Sequence, residues 1–169
     1  GAKVYSREGV YIRNFSEHEY LIPKKSLQDS VLPCRVAIDS AGTVFISLHF
    51  YTGSVGGNAV AAYDQNGIFL NVVLTDQELE NLFFSYVPDI AVDGSFFYIS
   101  ALPYGENRGV FRLDIPSIPG ENLTLRDTIA GYPKEISKIG PTDVLTPTAI
   151  AIHKGNIYYL DGFLNRLVQ

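Results

Sequence analysis

The chain has 169 residues, 46% apolar and 18% charged, with 11 Tyr and 10 Phe, a balance that suits one folded domain of pleated, half-buried strands and excludes a disordered tail. Thirteen Lys and Arg against 18 Asp and Glu leave a net charge of −5, with the basic residues scattered singly or in pairs such as Lys24-Lys25, which disfavours nucleic acid and anionic membrane as partners. Pro, Asp or Lys interrupts every apolar run before the roughly 20 residues of a membrane span, and the single Cys34 has no disulfide partner, so it reads as a small buried apolar residue.

In chain order, Gly1-Ala2-Lys3 opens a sequence without methionine, as expected of a processed, tagged or cut chain. The stretch from Lys3 to Ile12 reads as strand, turn and strand, in the same pattern as Val60 to Leu70. Three later segments then align as a repeat beginning at Pro33, Pro88 and Pro147. Each starts with a short apolar strand: Cys34 to Asp39, Asp89 to Asp93, and Thr148 to His153. A glycine turn and an aromatic, β-branched strand follow, at Gly42 to Ser47, Gly94 to Ser100 and Gly155 to Asp161. A polar loop leads to a third strand at Asn58 to Asp64, Gly109 to Asp114 and Asn165 to Gln169. In the first repeat Gln65-Asn66-Gly67 makes a tight hairpin into a fourth strand at Ile68 to Leu70.

Two stretches interrupt the pattern. Thr75 to Phe84 is expected to form a short helix, with Thr75 as cap and Glu78 completing a capping box. The Pro- and Gly-rich segment from Ile115 to Pro147 is expected to hold an outer strand around Leu123 to Arg126 and a long connecting loop.

Gly155-Asn156-Ile157-Tyr158-Tyr159-Leu160-Asp161, followed by Asn165-Arg166-Leu167-Val168, resembles the NHL repeat of the SMP-30-like β-propeller family. The first repeat matches through its Ala-Ile-Asp strand and Asp-Gln-Asn-Gly hairpin but carries a longer loop from His49 to Gly57, and the second departs further. The resemblance implies an all-β fold, a β-propeller of four-stranded antiparallel blades, with about three blades in this chain. The whole of 1–169 is then one propeller segment: a blade remnant at 1–15, blades at 33–74 and 87–129, and a partial blade at 146–169. Three blades do not close a ring of about six, so the expected partner is another propeller segment, either a second copy or the remainder of a longer chain, unless the protein is a small noncircular relative.

Ligands of such rings sit at one mouth of the channel. The loops expected there place His49, Tyr51, Tyr104, Asn107 and Arg108 as candidate ligand-binding residues for a protein or glycan partner. Asp161 and Arg166 read as a loop tie, and His153 as a turn residue in the place of Asp39 and Asp93. There is no Gly-x-Ser-x-Gly elbow and no metal-ligand spacing, and Gly53 to Gly57 lacks the Lys and helix of a phosphate loop. The expected function is therefore non-catalytic binding or scaffolding without a cofactor. The alternative that the resemblance implies is a metal-dependent hydrolase or lactonase with a divalent ion, Ca²⁺, in the channel, to which Asp89 and Asp143 would contribute. Sequons at Asn14 and Asn122 suit a secreted or extracytoplasmic protein.

Overall fold

The computed structural model describes residues 2–15, 30–52, 55–74, 89–101, 109–131, 147–163 and 165–169. These form thirteen strands: β1 (Ala2–Tyr5), β2 (Tyr11–Phe15), β3 (Ser30–Ile38), β4 (Val44–Thr52), β5 (Val55–Tyr63), β6 (Phe69–Leu74), β7 (Asp89–Asp93), β8 (Phe96–Ala101), β9 (Gly109–Asp114), β10 (Thr124–Gly131), β11 (Pro147–His153), β12 (Asn156–Asp161) and β13 (Arg166–Val168). The described residues contain no helix, and the helix expected from Thr75 to Phe84 falls outside them.

All strand pairs are antiparallel and sequential, giving four sheets: A (β1-β2), B (β3-β4-β5-β6), C (β7-β8-β9-β10) and D (β11-β12-β13). Sheets B, C and D span residues 30–74, 89–131 and 147–168. Sheet B begins earlier, at Ser30, and Pro33 lies inside its edge strand, where the ladder slips between Pro33 and Arg35. An edge bulge is a place where a residue without an N–H is tolerated. The outer strand of sheet C runs to Gly131, well past the expected Arg126.

Turn chemistry explains several of the hairpins. Ser6, Asp39 and Asp64 each start a turn that ends three residues later at a glycine with positive φ, namely Gly9, Gly42 and Gly67. In each, the first residue's side-chain oxygen accepts two backbone N–H groups, as Asp64 Oδ1 does from Asn66 and Ile68 at 2.8 Å. The hairpin at Gln65-Asn66-Gly67 is therefore wider than a two-residue turn, and Gly67 alone takes the positive φ. In sheets C and D the first hairpin is tighter: Asp93 pairs with Phe96 and His153 with Asn156. His153 is thus the last paired residue of a strand, whereas its expected counterpart Asp39 lies inside a turn.

The sheets stack face to face in chain order. Sheets B and C enclose the largest apolar cluster, with Phe45, Val60 and Val73 from B meeting Ile90, Phe97 and Leu113 from C. The Phe45 and Phe97 rings meet edge to face at 5.3 Å. The other face of C packs on D through Tyr98, Val110, Ile150 and Tyr159, and the other face of B packs on A through Val4. The first strands β3, β7 and β11 adjoin one another, so the stack is gathered along its leading edge.

Candidate functional site

Of the five expected ligand residues, Tyr104, Asn107 and Arg108 lie outside the described residues. His49 and Tyr51 do not sit in a loop. The β4-β5 ladder continues through His49↔Asn58, Phe50↔Gly57, Tyr51↔Gly56 and Thr52↔Val55, so the expected loop from His49 to Gly57 is a long hairpin. Gly57 and Gly56 stand opposite Phe50 and Tyr51 in this ladder, where composition suggested a flexible loop. His49 Nδ1 lies 2.9 Å from Oδ1 of Asn58, which is buried, so the imidazole is held to its cross-strand neighbour.

Asp89, at the start of β7, ties three sheets together. Its Oδ1 accepts the N–H of Ile90 at 3.0 Å and lies 3.3 Å from Arg35 Nε of sheet B. Its Oδ2 accepts the backbone N–H of Ile150 in sheet D at 2.9 Å. Both oxygens meet groups of neighbouring first strands, which gives this carboxylate a structural role. The other expected acidic contributor, Asp143, lies outside the described residues.

The remaining described ion pairs follow the same pattern. Arg112 grips Asp127 across β9 and β10 through both guanidinium and carboxylate arms, with Nε 3.0 Å from Oδ1, and this bond holds the Arg112 guanidinium above its ordinary value. Arg126 reaches Asp114 at 2.9 Å, and both guanidiniums stack 5.0 Å from the Phe96 ring centre. Asp161 is fully buried, accepts the N–H of Phe163 at 3.1 Å and approaches Arg166 at 3.9 Å, the loop tie expected from the repeat. Cys34 is half-buried, with Sγ 3.4 Å from the Leu32 carbonyl, so it sits outside the core clusters.

A cleft of about 280 Å³ opens where the turn ends of sheets B and C meet, lined by Asp39, Thr43, Phe45, Ser95, Pro116 and Ile118 among others. One wall is the 115–123 segment between β9 and β10, which folds across sheet B. Leu123 N–H bonds the Val73 carbonyl at 2.8 Å, Asn71 Nδ2 donates to the Gly120 carbonyl at 2.9 Å, and Ile115 N–H bonds Ser95 at 2.8 Å. Gly120 takes φ 88°, and a Cβ there would stand 3.0 Å from Leu70 Cβ, so this crossing needs glycine. The cleft floor is Phe45, its wall is proline and isoleucine, and Asp39 and Glu121 give it an acidic rim. His49 and Tyr51 lie at the opposite end of sheet B. The signal for this one was the Ile-Pro-x-Ile-Pro-Gly run at 115–120, a rigid apolar segment read as plain connection.

No family model, no curated protein and no solved structure matches the chain.

Proposed function

We propose that the protein is a non-catalytic binding scaffold with propeller-like architecture, whose cleft between sheets B and C receives a segment of a protein partner. The observation that carries this reading is the use of six carboxylates among the described residues. Asp39 and Asp64 cap turns, Asp89 joins sheets, and Asp114, Asp127 and Asp161 pair with arginines. Chemistry by acid and base needs a titratable pair free to face a substrate, whereas these carboxylates hold the architecture. The apolar wall of the 115–121 segment suits a peptide chain with apolar side chains, and the acidic residues Asp39 and Glu121 favour a basic residue on it.

The propeller reading draws on three features: sequential four-stranded meanders, face-to-face stacking in chain order, and first strands that adjoin. A secreted or extracytoplasmic setting accords with the sequon at Asn122, which is exposed at the end of the cleft wall. No helix among the described residues is long and apolar enough to cross a membrane.

Selection from a displayed random peptide library tests the binding reading. Peptides with a basic residue beside apolar ones are expected, and Ile118→Asp, altering an exposed side chain on the cleft wall, should abolish their capture with the fold intact. Calcium-dependent turnover of lactones or esters by the wild-type chain would contradict it.

A further inference from the structure

Asn122-Leu123-Thr124 supplies what N-linked glycosylation requires of a sequence, an asparagine amide and a hydroxyl two positions on, with a residue other than proline between them. A triplet alone does not make an acceptor. The folded chain must also leave room on that asparagine for a bulky, hydrated oligosaccharide, which confines such sites to the surface.

The triplet lies where the 115–123 crossing hands over to β10. Gly120 turns the chain with φ 88°, Glu121 N–H bonds the Ile118 carbonyl at 3.3 Å, and Thr124 opens the strand. Leu123 is buried in the cluster between sheets B and C, and its N–H bonds the Val73 carbonyl at 2.8 Å. Asn122 and Thr124, on either side of it, are both exposed. The leucine is thus the anchor, and the two residues that the modification needs stay outside. Among the described residues β10 is also an edge strand of sheet C, so Asn122 enters the sheet on its outer side. The other sequon has a different setting: Asn14 is inside β2, paired with Lys3 of β1, and its Ser16 falls outside the described residues.

We infer that Asn122 carries an N-linked oligosaccharide. The donor is an oligosaccharide linked to a lipid pyrophosphate, used by a host transferase as the chain enters the secretory route. Nδ2 of Asn122 bonds to the anomeric carbon of the first sugar, and the bond from that carbon to the pyrophosphate oxygen breaks. The lipid pyrophosphate leaves with the electron pair, and the amide nitrogen gives up one proton to a base of the transferase. Folding then sets the sugar beside Glu121, at the end of the cleft wall. The assignment goes beyond the binding reading and rests on the secretory setting proposed with it.

Peptide mass spectrometry on the full chain tests it. Trypsin cuts after Arg112 and Arg126, and the peptide 113–126 between them contains Asn122 and no other sequon. In protein from its native cells this peptide should carry oligosaccharide mass, which peptide N-glycosidase releases to leave a deamidated Asn122. An unmodified native peptide would overturn the inference. The same chain sent through eukaryotic secretory cells behind a cleavable signal then shows which part failed: modification there refutes the secretory setting, and an unmodified peptide there refutes the acceptor site. In those cells Asn122→Gln and Thr124→Ala should each abolish the modification, and Thr124→Ser should retain it. Both positions are exposed, and circular dichroism and melting check that each variant folds. Oligosaccharide still present on Thr124→Ala would also overturn the assignment, because the modification would then not depend on the sequon.

Discussion

The joint between sheets B and C and the joint between A and B begin from the same sequence pattern and end differently. Both set β-branched residues of a first strand, Ile90 and Val92 or Val36 and Ile38, beside apolar residues of the second strand. At the first joint a complete sheet stands opposite, Ile90 is buried, and the 115–123 segment laces the two sheets through Leu123 and Val73. At the second joint the described residues set a two-stranded hairpin opposite, and the same positions remain exposed. Side-chain pattern thus states what a face can bury, and the number of strands across from it decides whether it does.

The largest expected break in this contrast is Phe97→Ala, which empties the B and C joint and should cost about 3–5 kcal/mol in urea unfolding. Ile38→Ala, at the open joint, should cost under about 0.5 kcal/mol in dilute solution. Gly109→Ala comes next. A Cβ there would collide with the Ala130 carbonyl oxygen, so β9 and β10 must separate, at about 1–3 kcal/mol in the same measurement.

Asp89→Ala leaves the Ile150 N–H without its acceptor and should cost about 1–3 kcal/mol, whereas Arg35→Ala, whose side chain is 46% exposed, should cost under about 1 kcal/mol. A double-mutant cycle checks that the bond to sheet D, rather than the ion pair to sheet B, dominates.

The smallest effect concerns pH. The N–H of Ile68, foremost among its donors, holds the Asp64 carboxyl below its ordinary 3.8. A carboxyl depressed in the folded state stabilises above its unfolded pKa, and that contribution disappears as pH falls through the folded value. The stability difference between wild type and Asp64→Ala should therefore be constant near neutrality and shrink below about pH 4.

Local chemistry made much of this fold legible in the sequence. The alternating aromatic and β-branched runs gave sheets B, C and D nearly to their ends, and Asp64 with Gly67 marked a hairpin. The His49 to Gly57 segment misled because Gly53, Gly56 and Gly57 resemble a loop, while the cross-strand pairing that extends the hairpin is a property of two strands together. The cleft was hidden for a related reason: its wall forms only when residues 115–123 cross to β6, a contact set by Asn71 and Val73 far back in the chain. Asp89 was noticed as an acidic residue on a first strand, but its role depends on Ile150, 61 residues away.

Thiol labelling tests the central contrast most directly. In a Cys34→Ser background, a cysteine replaces Val36, Ile90 or Ile150 in turn, three equivalent positions at three joints. In dilute solution Val36→Cys should react with a maleimide about as fast as a free thiol, and the other two far more slowly, in step with their burial at 58%, 5% and 8% exposure. Equal protection at all three positions at every dilution, or equal reactivity, would contradict the account.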